Sequence, residues 1–200
     1  CLGCVAYFAI WACAPTQHMR PPVPIAQSGE SEYGVAVGAL NRIYVEREAP
    51  SPTGMAWWQW ANSDGSMRYG TALSFNGQLP GLSAYVGMRL NETPSSYIWL
   101  DGGLTLIGAE LSLPMGLAMT DTTWLYTAPG ATLGATGFKS SNGALLRVPF
   151  GLAYWSPDGS FSFRVEAGFL THDLADRGNE SHLFAGVGIA FPIHAKSKKD

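Results

Sequence analysis

The sequence predicts an all-β chain folded as a closed antiparallel up-and-down barrel of about eight strands, with ten as the alternative count. Three observations lead there. From Tyr33 onward, apolar residues recur at every second position in runs broken by turn-forming clusters, and good helical periodicity is absent. Charged residues make up 14% of the chain, against a usual figure of roughly 25%. Glycine (24 residues) and aromatics (12%) are high, which suits a surface that does not all face water. With 200 residues and 46% apolar content, the chain can bury one substantial core and has little room for a second.

Taken from the start, residues 1–13 are apolar and read like the hydrophobic stretch of a signal peptide without its charged beginning. They end in Ile10-Trp11-Ala12-Cys13, a lipobox-like run that makes Cys13 a candidate lipidation site. Ala12-Cys13-Ala14 also fits ordinary signal cleavage, so both readings stand. The other cysteines, Cys1 and Cys4, lie in the same segment. The folded part therefore has no disulfide and no cysteine metal site. Residues 14–32 are proline-rich and aperiodic, a tether. The barrel occupies residues 33–191, and a polar tail, 192–200, follows.

Alternating runs cover residues 33–44, 55–61, 67–75, 82–90, 104–119, 144–155, 160–171 and 182–191. The clearest is 104–119, read as one long strand. A soluble strand averages roughly 5–6 residues, whereas a membrane-crossing one needs about 9–11. Residues 96–103 and 123–138 are the two segments that would raise the count to ten. Leu113-Pro114-Met115-Gly116-Leu117-Ala118 and Val148-Pro149-Phe150-Gly151-Leu152-Ala153 form a weak repeat, whose inward prolines read as matched bulges. Residues 62–66 and 156–160 are tight, turn-rich connections, and 45–54, 120–142 and 171–181 are long and polar. With eight strands, 91–103 becomes a long connection on the short-turn side, an exception to that sorting. Tyr33, Tyr69, Tyr154, Phe161 and Phe191 share the outward parity near one rim, with Trp57, Trp58 and Trp60 close by. They suit a headgroup girdle or, alternatively, the core of a soluble barrel.

The last run, Gly186-Val187-Gly188-Ile189-Ala190-Phe191, resembles the C-terminal assembly signal of the small eight-stranded outer-membrane barrel proteins of Gram-negative bacteria. The likeness covers residues 33–191. Phe184, where a polar residue is usual, and the tail after Phe191 depart from the pattern. The resemblance implies an outer-membrane location, lipid as surroundings, and contact with a surface or periplasmic protein through the loops.

The informative charges have inward parity: Arg42, Arg68, Arg89, Glu110, Arg147, Arg164 and Glu166. An isolated buried charge is costly, so these must be paired or hydrated. They form either a network that plugs the barrel or, given five arginines against two glutamates, an anion-binding lumen. His172-Asp173 and Ser181-His182 at the last long loop are the only candidates for a hydrolase or acyl-transfer site. No catalytic residue is assigned, and no cofactor, metal site or nucleic-acid partner is expected. The expected role is non-enzymatic, structural or surface-interacting. The alternatives are a lipid-modifying enzyme of the outer membrane and a soluble periplasmic ligand-binding barrel, which would need the apolar faces inward.

Overall fold

The computed structural model describes residues 30–42, 50–75, 80–105, 108–135, 142–172 and 181–193. Its strands are β1 (Ser31–Arg42), β2 (Ser51–Ala61), β3 (Met67–Phe75), β4 (Pro80–Thr93), β5 (Ser96–Thr105), β6 (Gly108–Ser112), β7 (Met115–Ala118), β8 (Thr123–Thr127), β9 (Gly130–Ala135), β10 (Asn142–Trp155), β11 (Ser162–His172) and β12 (Ser181–Ile193). All are antiparallel, and β12 pairs with both β11 and β1, so the sheet closes on itself. β6 and β7 both pair with β5, and β8 and β9 both pair with β10. Each couple is one stave of the wall interrupted once. The described residues therefore form ten staves, and the eight-strand count gives way to its alternative.

Both segments named as the source of extra strands supply them. Residues 96–105 are β5, and β8 and β9 lie within the stretch expected to be a long loop. The run 104–119 is not one strand: it holds the end of β5, then β6 and β7. The connection 91–103 also disappears, leaving only Pro94 and Ser95 between β4 and β5. The exception to the turn sorting goes with it.

The barrel's tilt follows from its register. A row of paired residues runs from Ala61 through Arg68, Gly87, Asp101, Ser112, Gly130, Arg147, Leu170 and His182 to Arg42. Ala61 itself neighbours Glu30 on the same chain segment that ends at Arg42, with the Ala61 N–H donating to Glu30 O at 3.0 Å. One circuit thus climbs twelve residues, from position 30 to position 42. Twelve residues at about 3.3 Å against ten spacings of about 4.8 Å give a strand tilt of about 40°. That lies within the ~35–45° range of membrane-crossing barrels.

The interruptions have a chemical cause. Pro114 separates β6 from β7, Pro129 separates β8 from β9, and β10 changes partner from β9 to β8 at Val148 and Pro149. Proline has no N–H to give the ladder. Neighbouring amides still cross the gaps: Trp99 N–H donates to Pro114 O at 2.8 Å and Leu113 N–H to Pro129 O at 2.9 Å. The expected matched bulges at Pro114 and Pro149 are thus a true gap and a partner change, joined by a third proline at 129.

At the end carrying both termini, the short turns after β2 and after β10 share one design. Gly65 (φ 67°) and Gly159 (φ 69°) take the left-handed conformation that glycine tolerates. Asp64 accepts from Ser66 N–H at 2.9 Å, and Asp158 accepts from Ser160 N–H at 3.1 Å. Hydrogen bonds from Ser156 and then Ser160 hold the Asp158 carboxyl down at about 2. The Ser66 hydroxyl and amide lower that of Asp64.

The two faces differ sharply. Val35, Leu73, Leu82, Leu104, Leu111, Leu133, Phe150 and Leu183 are exposed on the outer face. Inside lie Glu32, Gln59, Arg68, Asp101, Glu110, Arg147, Arg164 and Glu166, all buried. Two apolar clusters also face inward: Ala36, Met55, Trp57, Ala72 and Ala190, and Leu145, Leu170 and Phe184 with Leu40. Phe184, the departure from the final-strand pattern, belongs to the second.

Candidate functional site

The interior is the candidate site, and its construction rests on glycine. Side chains on staves next but one are about 9–10 Å apart at the backbone. They can meet only by lying flat over the stave between them, which must then lack a Cβ. Three rows satisfy this. Gln59, Gly70 and Tyr85 are in register, and Tyr85 donates to Gln59 Oε1 at 2.7 Å. Arg68, Gly87 and Asp101 are in register, with Arg68 Nη2 on Asp101 Oδ2 at 2.7 Å and Nε on Oδ1 at 3.3 Å. Tyr126, Gly151 and Glu166 are in register, and Tyr126 donates to Glu166 Oε2 at 3.1 Å. A Cβ on Gly70 or Gly151 would collide with the tyrosine ring, and one on Gly87 with Asp101 and Arg68.

Two further ion pairs reach across a stave diagonally. Arg164 on β11 donates from Nη2 to both Glu32 oxygens, at 3.0 and 2.9 Å, across β12. Trp57 Nε1 gives Glu32 a further hydrogen bond at 3.0 Å. Arg147 on β10 meets Glu110 on β6 at 2.9 Å across β9. The guanidinium groups also rest on rings: Arg68 lies 4.8 Å from the Trp99 centroid, and Arg164 lies 5.3 and 5.8 Å from Trp57 and Trp155. Desolvated cations on aromatic faces gain electrostatically.

Of the charges singled out from sequence, Arg68, Glu110, Arg147, Arg164 and Glu166 come together inside the barrel. Arg89 does not. A register shift between Arg89 and Asn91 leaves it at the rim, where it pairs with exposed Glu92 at 2.8 Å. Arg42 ends β1 in register with His182, and its side chain lies outside the described residues, as do Cys13 and the His172 side chain. Sequence reasoning missed Glu32, Gln59 and Asp101. Glu32 sits at the first residues of β1, inside the supposed tether, and Asp101 precedes Gly102-Gly103, which looks like a turn. With Glu32 and Asp101 included, each described interior arginine meets an acid, so the expected positive excess is not found among them.

Of the rim residues proposed for hydrolysis, Asp173 and the His172 side chain lie outside the described residues, and Ser181 and His182 do not come together. Ser181 and His182 are successive residues of β12 and so point to opposite faces. His182 is buried inside, and the Ser181 hydroxyl bonds to that of Thr171 at 3.3 Å. Among the described residues, no group of three His, Cys, Asp or Glu side chains is placed to hold a metal ion.

No protein-family model matches the chain, and no curated protein does. Solved structures do. The KdgM porin in complex with disordered oligogalacturonate is similar at 13% identity and a TM-score of 0.47, over 82% of this chain and 99% of that one. Ail, the attachment invasion locus protein of Yersinia pestis, is similar at 12% identity and a TM-score of 0.36, over 84% and 100%. Omp33 of Acinetobacter baumannii gives 10% identity and a TM-score of 0.32, over 84% and 100%. A sheet satisfies every backbone group in lipid only when it closes, and here the closed sheet is apolar outside and ion-paired inside. In architecture, the chain is a ten-stave membrane-spanning β-barrel of the outer-membrane type.

Proposed function

We propose that this barrel does not conduct, and that its role is structural or exercised at its surface, through the connections at the end away from the termini. With both termini periplasmic, those connections face outward. One observation carries the reading: the described side chains of the interior are packed out of contact with solvent. Gln59, Arg68, Trp99, Asp101, Arg164 and Glu166 are each 1% exposed or less. Ions need a continuous file of water, and here paired charges and rings occupy its path. The pairing also removes the fixed positive charge that would favour an anion channel. Removing either member of such a pair would leave an uncompensated buried charge, so the plug is held in place.

The test is electrical. Refolded chain added to a planar lipid bilayer should give no stepwise conductance, whereas reproducible open steps would overturn the reading and make the barrel a pore.

A further inference from the structure

On the outer face, at the level of the second apolar cluster, the wall is not smooth. Ala167 on β11, Ala185 on β12 and Ala39 on β1 are directly paired in one row. The next outward row toward the far end carries Phe169 and Leu183, and the next toward the termini carries Val165, Val187 and Val37. Three adjacent alanines, with three valines on one side and Phe169, Leu183 and Asn41 on the other, make a trench. Phe150, in register with Ala167, stands at one end, and Pro50 lies at the other. Its volume is about 620 Å³. No other row of outward residues among those described has three consecutive alanines.

We propose that this trench seats one acyl chain of an outer-leaflet lipid. The inference rests on the membrane reading above. Three features select the occupant. The trench is walled by hydrocarbon, with Asn41 the one polar side chain lining it, at its upper edge. Polar recognition is therefore confined to the side nearest the headgroups. Its flanking rows stand about 13 Å apart along the strands. Once their side chains are allowed for, one extended carbon chain reaches the floor, while a helix about 10–12 Å across does not. Its height also fits. Ala39 lies six residues above Tyr33, whose ring stacks on Phe191 at 5.4 Å in the aromatic rim. At a tilt of about 40° that is about 15 Å up an apolar band about 25 Å tall, in its outer half.

The experiment uses the full chain in phosphatidylcholine vesicles doped with a phosphatidylcholine bearing a diazirine in its acyl chain. After photolysis, adducts are mapped by mass spectrometry. They should concentrate on peptides carrying Phe169, Leu183 and Phe150. Filling the floor with Ala167→Leu and Ala185→Leu should abolish that enrichment. Ala84→Leu, a same-size change on the outer face of β4, should leave it intact, and heat-modifiable gel migration confirms that each variant is folded. Adducts spread evenly over the belt, enrichment that survives filling, or a trench left unlabelled within a labelled belt would each overturn the acyl-chain site alone. Cross-linked pairs of barrels joined through the trench would assign it to a second copy and also overturn it. No adducts anywhere on the belt would instead sink the membrane reading on which the site depends.

Discussion

One side of the barrel, from β12 through β4, is built of unbroken strands in continuous register. The other, from β6 to β10, carries prolines at 114, 129 and 149 and changes partners midway. Both sides bury an arginine against an acid across one stave, but differently. At the edge of the unbroken wall, Arg68 of β3 and Asp101 of β5 lie in one row, flat over Gly87 of β4. In the broken wall, Arg147 shares a row with Gly130, whereas Glu110 shares one with Thr132. That ion pair ties two rows together where the prolines have removed ladder bonds. Interior charge thus lies flat within one row over Gly87, and ties neighbouring rows together at the interrupted wall and, through Arg164 and Glu32, across β12.

The largest expected effect comes from breaking each pair. Asp101→Ala and Glu110→Ala should each cost about 3–5 kcal/mol, the usual penalty for orphaning a buried charge. Urea titration of the folded fraction in vesicles measures this. The walls should separate by hydrogen exchange: the Leu113 amide, which bridges to Pro129, should open faster in Glu110→Ala than in Asp101→Ala. Equal acceleration would erase the distinction drawn between the walls.

A smaller effect sharpens the role of glycine. Gly70→Ala must displace the Tyr85 ring and should cost about 1–3 kcal/mol. Gly102→Ala, on the outer face of β5 with no neighbour within 4 Å of the added carbon, should stay within about 0.5 kcal/mol. Comparable losses would mean that the interior glycines serve the backbone and not the side chains over them.

The smallest effect compares the two aspartate turns, one in each wall. A carboxyl held low when folded stabilises the protein above its unfolded value of about 4, and loses that contribution as pH falls through the folded value. For Asp158 the window runs from there down to about 2. Asp158→Asn should flatten the acid dependence of folding in that range, and more so than Asp64→Asn. A steeper acid transition in Asp158→Asn would contradict the assignment.

Most of the facing of side chains was legible, because period-two alternation fixes which residues share a face wherever a strand exists. What escaped were boundaries. β5 and β6 pair as a hairpin, but the sequence between them, Leu106-Ile107, is apolar and carries no turn-forming residue, so the two read as one strand. β8 and β9 are too short on either side of Pro129 for alternation to stand out. Asp101 and Glu32 were hidden by the same error, since a charge placed in a loop has no inward face to assign. The registers that set Gly70 under Tyr85, and the alanine row of the outer trench, depend on pairing between strands distant in sequence, which alternation within one strand does not encode.

The ion pair of Arg164 with Glu32 joins residues 132 apart in sequence, one on the penultimate stave and one on the first. It spans the seam where the sheet meets itself. Until β12 is in place between its two neighbours, these charges are held by different ends of an open sheet. Neutralising them and sealing the last backbone ladder are therefore one event. A chain stalled short of that step would carry an unpaired cation and an unpaired anion on either side of its open seam, so the electrostatics of the seam draw the edges toward closure and leave a partly closed barrel no comfortable resting state.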